Sequence, residues 1–164
     1  MIKLIPFTLN PHAHYLRGWT TGEKDLVQFA GPLFQYPLTE DQIENWIADE
    51  NRTVFAVLDD FFEGVIGFAE LSDYDEKTAK IARVLIGASS ERGKGYGTSL
   101  ITKLVRIAFA EWNKKSVILN VYDWNKGAIR CYEKVGFSFT NRPPIIMEIG
   151  GETWNSLEMK IEKL

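Results

Sequence analysis

The 164-residue chain has one cysteine, Cys131, and only two histidines, His12 and His14. A lone cysteine excludes an internal disulfide and suits a reducing compartment. No Cys, His or carboxylate array with metal-ligand spacing surrounds either histidine, so no metal is expected and both read as ordinary surface or half-buried residues. Long apolar runs are also missing. The opening MIKLIPFTLN is too short for a secretory signal, and nothing is long enough to span a bilayer. The expectation is a cytoplasmic protein with no membrane contact, in which the triplet Asn51-Arg52-Thr53 has no glycosylation role. A formal net charge of −3 argues against a broad nucleic-acid surface. Repeats, low-complexity tracts and linkers are absent, so residues 1–164 read as one domain with room for a sizeable core.

Periodicity divides the chain. IKLIPFT reads as a short strand, and Asn10-Pro11 as a helix start with Asn as cap and Pro in the first turn. A broken helical region with Trp19, Phe29, Phe34 and Tyr36 follows, interrupted by Gly22, Gly31 and Pro32. Thr39-Glu40-Asp41-Gln42 is a capping-box pattern. TVFAVLDD, GVIGFAELSD and AKIARVLIG then alternate as strands. A long amphipathic helix is marked by Leu100, Ile101, Leu104, Val105, Ala108, Phe109 and Trp112. SVILNVY is a buried-type strand, NKGAIRCYEKVG a helix stopped by Gly136, and PIIMEIGGETWNSLEMKIE two strands joined at Gly150-Gly151. The order predicts an α/β fold with a mixed, largely antiparallel sheet.

Three glycines, Gly93, Gly95 and Gly97, stand at alternate positions before the long helix, in SSERGKGYGTSLITKL. A Walker A loop does not fit: five residues separate Gly87 from Gly93-Lys94, and Gly95 holds the hydroxyl position. The dinucleotide fingerprint does not fit either, because the spacing is G-x-G-x-G after several antiparallel-looking strands. What remains is a nest of backbone N–H groups opening a helix, which attracts an anion such as a pyrophosphate. Arg92 and Lys94 would add charge at its rim. The alternative is a glycine-rich turn with two solvated cations.

RGKGYG followed by LNVYDWNKGAIRCYEKVGF resembles the GNAT superfamily of acyl-CoA-dependent N-acetyltransferases. The first signature, R/Q-x-x-G-x-G/A, is met by Arg92, Gly95 and Gly97. The second, N-x-x-A-x-x-x-Y-x-x-x-G-F, is met by Asn125, Ala128, Tyr132, Gly136 and Phe137. The resemblance covers roughly residues 81 to 139 and implies a sheet whose two adjacent parallel strands splay apart, with flanking helices. Acetyl-CoA would lie in that gap as co-substrate. Its pantetheine arm would pair with the backbone of Val84, Leu85 and Ile86, and its pyrophosphate would rest on the nest formed by Arg92, Gly93, Lys94, Gly95, Tyr96, Gly97 and Thr98. Asn125 would touch the arm, and Tyr132, two helical turns on, would protonate the departing thiolate. Its alternative is a packed aromatic on the core face. Transfer would be direct, with Cys131 a packed small residue.

Members of the superfamily carry a glutamate where this chain has Asn120, or near Ala82, which lies beside Lys80 and Arg83. Neither position is acidic here. Glu70 in GFAELSD is then the base to consider, since alternation places it with Phe68 on one face; otherwise it is a solvated edge residue. Asp73 and Asp75 read as turn residues. Short segments also resemble aminoglycoside N-acetyltransferases, and the helical start is similar to that of ribosomal-protein N-terminal acetyltransferases. A polycationic acceptor would want an acidic pocket, for which Glu70, Asp73, Asp75 and Glu76 are available. The acceptor expected is a small-molecule amine or a peptide N-terminus. Trp19, Phe29, Phe34 and Tyr36 either line its pocket or pack the core. A non-catalytic acyl-CoA sensor or interaction module is the rival reading. A homodimer through the closing strands is compatible with the sequence, which does not set it.

Overall fold

The computed structural model describes residues 2–61, 64–87 and 93–164. A single sheet of eight strands runs through it, in the order β1 (Ile2–Pro6), β2 (Arg52–Asp59), β3 (Val65–Asp73), β4 (Thr78–Ile86), β5 (Ser116–Tyr122), β8 (Glu152–Glu162) and β6 (Ser138–Phe139). β7 (Ile145–Ile149) also pairs with β8, across the Gly150-Gly151 turn. Every pairing is antiparallel except β4 with β5. The expected α/β architecture, with a mostly antiparallel sheet and one parallel pair, is the one observed.

Helices cover both faces. Three helices, α1 (Leu9–Trp19), α2 (Glu23–Ala30) and α3 (Glu40–Ile47), close one core around Leu16, Leu26, Phe29, Ile43, Trp46 and Phe68. On the other face, α4 (Tyr96–Arg106) and α5 (Lys126–Val135) pack on Ala69, Leu71, Ile81, Val117 and Leu119. Leu100, Ile101, Leu104 and Ala108 on the predicted stripe are fully buried. Alternation along β5 explains the division, since Val117, Leu119 and Val121 face α4 while Tyr122 faces α2. After Arg106 the helix widens into a π-helical stretch, Ile107–Glu111, that ends with Trp112 N–H donating to Ile107 O.

Local signals were partly honoured. Thr39 caps α3 by accepting from Gln42 N–H at 3.4 Å, but the box is not completed, because the Gln42 Oε1 accepts from Gln35 N–H while its amide donates to the Gln35 and Pro37 carbonyls and to Thr39 Oγ1. Asn10 does not act as a side-chain cap: Asn10 and Pro11 lie off helical torsions and kink α1 near its start, so that its regular turns follow Pro11. His12 is buried, not superficial; its Nδ1 accepts from Thr8 N–H at 3.0 Å, and burial lowers its pKa. Among the described residues, no helix is long and apolar enough to cross a membrane.

Asp73 is less free than its turn position suggests. Lys114, buried behind the β3–β4 turn, donates to Asp73 Oδ1 at 2.5 Å and to the Asp75 carbonyl at 2.6 Å. Asp75 Oδ1 accepts from Lys77 and Thr78 N–H, closing the turn itself. Exchanging Lys114 for methionine removes a buried charged donor and costs about 2 kcal/mol. Tm should fall by roughly 4–8 °C in thermal unfolding, for a chain of this size.

Candidate active site

Parallel pairing between β4 and β5 lasts only three rungs: Thr78 with Ser116, Ala79 with Val117 and Lys80 with Ile118. Beyond them the strands separate. β4 stays paired to β3 through Ile86, and β5 stays paired to β8 through Tyr122. The gap opens a cleft of about 610 Å³, lined by Ala82–Val84 of β4, Asn120–Tyr122 of β5, Asn125 and Tyr132. Its outer walls come from the end of α2, at Phe29–Pro32, and from Ile145–Met147 of β7. Tyr122 fixes the α2 wall, since its hydroxyl donates to Val27 O at 3.1 Å.

A bulge shapes the β4 side. Register with β3 shifts by one residue between Ala82 and Leu85, and Arg83 takes a φ of 49°. The extra residue lets Val84 and Ile86 share the α4 face with Ile81, while Leu85 joins Phe68 on the other. The Arg83 guanidinium reaches back to Glu70. Gly87, at the end of this strand, donates its N–H to Ile66 O at 2.8 Å, and the Trp19 indole fills the space a Cβ would need.

At the mouth of α4 the glycines behave as a loop built from backbone. Gly93 and Gly95 adopt φ of 80° and 83°, the left-handed region that side chains disfavour. Gly95 is the N-cap residue, and among the described residues no side chain caps the helix and no acidic residue occupies its first turn. A helix N-terminus that opens from backbone in this way is the kind of end that attracts an anion. The Tyr96 ring turns away and its hydroxyl donates to the buried Asp59 carboxylate, which also accepts from Phe61 N–H at 2.7 Å. Thr98 meets the free thiol of Cys131 at 3.5 Å, and Cys131 packs against the core as expected. Lys94 is exposed at the rim. Arg92 lies outside the described residues.

Asn125 caps α5 by accepting from Ala128 N–H at 3.3 Å. Tyr132 follows two turns later with its ring 6.2 Å from Phe137. No described residue hydrogen-bonds its hydroxyl, and burial, with Cys131 adding to the effect, pushes the phenol pKa well above its ordinary value. Tyr132 thus stays protonated at neutral pH, with its side chain packed against the α4–α5 core and lining the cleft.

Glu70 is neither a solvated edge residue nor a free carboxylate. It is 1% exposed, across β3–β4 from Ala82. Oε2 accepts from Trp46 Nε1 at 2.7 Å, and Arg83 Nη1 bridges both oxygens at 3.0 and 3.1 Å. Arg52 lies 3.4 Å from Oε1. The acidic cluster read from sequence is thus dispersed, with Glu70 in the core and Asp73 and Asp75 held at the far β3–β4 turn. Of the four aromatics considered for the pocket, only Phe29 lines the cleft. Phe34 packs on Trp46, Trp19 on Phe68, and Tyr36 donates its hydroxyl to Thr21 O. Asp59, Trp46 and Arg52 were missed as partners of the site, because each acts across elements that no sequence spacing links.

The comparisons agree with this architecture. The spermidine N-acetyltransferase of Vibrio cholerae in complex with CoA and spermine superposes with a TM-score of 0.82 at 20% identity, over 98% of this chain and 95% of that one. A dodecameric structure of the same protein gives 0.76 at 21% identity, over 98% and 93%. At that identity the likeness is one of fold. The SPbeta prophage-derived uncharacterized N-acetyltransferase YokL of Bacillus subtilis is 28% identical over 107 residues, 62% of this chain and 59% of that protein's length. An N-acetyltransferase 9-like protein of Nematostella vectensis is 21% identical over 159 residues, 90% of this chain and 80% of the relative. The profile described as the acetyltransferase (GNAT) family matches residues 19–137, from the end of α1 past Tyr132 to Phe137. With the splayed strands, the glycine nest and the Asn125–Tyr132 helix all inside or beside that match, the chain belongs to the GNAT acetyltransferase family.

Proposed function

We propose that the protein transfers the acetyl group of acetyl-CoA directly to a primary amine, of a small molecule or a peptide N-terminus, with Tyr132 as proton donor to the thiolate. The observation that carries this reading is the Tyr132 hydroxyl, protonated and without a hydrogen-bond partner among the described residues, inside a cleft where β4 and β5 part. β4 pairs with β3 along one edge and with β5 only as far as Lys80, so the edge of Val84 and Leu85 that faces the gap would take the amides of a pantetheine arm, which the resemblance extends to Ile86. The nest from Gly93 to Thr98 would hold the pyrophosphate. Arg92 and Lys94 would assist at its rim, and Asn125, with its Oδ1 turned to the helix, would offer its amide N–H to the arm.

The chemistry then balances. The amine nitrogen attacks the thioester carbonyl, a C–N bond forms and the C–S bond breaks. Tyr132 gives its proton to the sulfur and recovers one from solvent, while the amine loses its own. An alkyl ammonium is about one part in a thousand neutral at pH 7, a handicap of roughly 4 kcal/mol. Among the described residues, no carboxylate or histidine lines the cleft to take that proton. Glu70, with both oxygens occupied by cationic or indole donors, serves here to hold Arg83 and Arg52, and the proton leaves to water. A backbone N–H of β4 would meet the growing charge on the carbonyl oxygen. An acyl-CoA sensor would need the same nest but would have no use for the Tyr132 hydroxyl.

Gly97 supplies the test of cofactor binding. Its backbone is helical and a Cβ there would meet only Cys131 Sγ, at an ordinary 3.6 Å. Gly97→Val therefore leaves Tm within about 2 °C, since the gain from removing glycine offsets the β-branch. Calorimetry should show coenzyme A affinity reduced by at least about tenfold, because the side chain enters the space the phosphates need. Unchanged affinity would refute the nest assignment. Thiol release followed with acetyl-CoA and a panel of amines tests the reaction, and tight binding without any amine-dependent release would favour the sensor.

A further inference from the structure

The charge of the cleft is opposite to what a polyamine would seek. The ionisable side chains lining it are Lys80, Arg83, Tyr122 and Tyr132, with no aspartate or glutamate among the described residues. Two carboxylates stand on neighbouring strands, Glu70 opposite Ala82 and Glu158 opposite Asn120. Both are engaged. Glu70 holds Arg83 and Arg52, while Glu158 accepts from Arg142 at 3.1 Å and Thr140 at 3.0 Å. Three arginines thus share these two carboxylates, with Arg52 also 3.5 Å from Asp49, while Lys80 has no ion pair among the described residues and its ammonium stands 6.0 Å from the centre of the Tyr74 ring.

Lys80 and Arg83 also look prepared for a ligand. In a regular strand, residues three apart point to opposite faces. The bulge at Arg83 breaks that rule, and its guanidinium reaches the face that holds Glu70 and Lys80. Burial, then the nearness of Arg83, lowers the Lys80 pKa. The charge of an approaching anion would offset both effects. In Arg83, Nη1 alone has a protein partner, and Nε is buried without an acceptor. An unmet donor beside an ammonium with no counter-ion is costly unless something complements them.

The cofactor's pyrophosphate is not that complement. Lys80 is the last β4 residue paired with β5, so it marks the apex of the cleft. Ile86, which leads on to the glycine nest, is six residues further along the strand, about 20 Å away at ordinary strand rise. An anion at the apex must come with the other substrate.

We propose that the acceptor amine bears a carboxylate, which Lys80 and Arg83 bind at the apex of the cleft. This rests on the transfer reaction proposed above, and it separates this chain from its structural neighbours, which are described as spermidine N-acetyltransferases. The two cations would hold the carboxylate while the amine of the same molecule is presented to the thioester, in reach of Tyr132. The substrate class is then amino acids or short peptides with a free carboxylate.

Matched pairs of acceptors test it. Thiol release from acetyl-CoA is measured with amino acids and dipeptides, with the same compounds as carboxamides, and with spermidine. The expected result is a preference of about 10- to 100-fold in kcat/KM for the carboxylates over their amides, the range of one or two charged hydrogen bonds. Lys80→Met, which keeps the volume, should erase most of that preference by raising KM with kcat little changed. Lys80→Glu should raise the relative rate with spermidine. Equal use of acids and amides, or a preference for spermidine by the unmodified protein, overturns the inference but leaves the transfer reaction standing. Coenzyme A binding with no thiol release from any amine overturns the reaction itself, and the inference with it.

Discussion

Replacing Tyr132 with phenylalanine lowers kcat for acetyl transfer by about 10²- to 10⁴-fold, the usual contribution of a positioned acid. Coenzyme A affinity should stay within about threefold and Tm within about 2 °C, because the ring and its contact with Phe137 are kept and the hydroxyl has no described partner to lose. The pH profile adds a second check. Burial raises the phenol pKa, so the donor is fully protonated at neutral pH and is lost only as pH climbs through that raised value. An alkaline limb due to Tyr132 must therefore lie above pH 10, the ordinary tyrosine pKa. A limb near pH 8 that disappears in the phenylalanine variant would mean the tyrosine works by another route, and an unchanged kcat would leave it a packing residue.

Removing Glu70 has the largest effect on stability. Glu70→Ala leaves two largely buried arginines without their shared counter-ion and orphans the Trp46 indole N–H. Breaking a buried pair in this way costs about 3–5 kcal/mol, and Tm should fall by roughly 6–20 °C. Glu70→Gln keeps the shape and one acceptor, so its loss should be smaller but still measurable. The comparison with a base is direct. If Glu70 accepted the amine's proton, the Gln variant would lose the acid limb of its pH–kcat profile while melting almost normally. The expected pattern is the reverse, a lowered Tm with the acid limb in place. A double cycle with Arg83→Met should show strong coupling, since each partner's removal already strands the other.

How much of this was legible in the sequence depends on the reach of each interaction. Gly93 to Thr98 and Asn125 to Tyr132 were readable because a helix and its cap are local, and seven residues return a side chain to the same helix face. The strand order and the buried stripe of α4 followed from periodicity for the same reason. The burial of Glu70 was not legible because its surroundings arrive from elsewhere: Trp46 lies 24 residues away on α3, and Arg83 lies 13 away across a bulge. Alternation correctly placed Glu70 with Phe68, yet could not show that a helix covers that face. Lys80 and Arg83 were visible as charges. Their convergence depends on one inserted residue in β4, which propensity does not reveal. His12 and Lys114 make the same point, since burial of a polar side chain is decided by what packs over it.

The three-rung seam between β4 and β5 has a mechanical consequence. The sheet amounts to two boards of four strands, butted along a short edge and held apart over the rest of their length. Shear between the boards meets little resistance from the backbone there, and α4 and α5 bear it instead. A pantetheine arm laid in the gap would act as a dowel, stiffening the joint only while it is present. In such a protein, the supply of the small molecule would govern how firmly the molecule holds together as well as how fast it works.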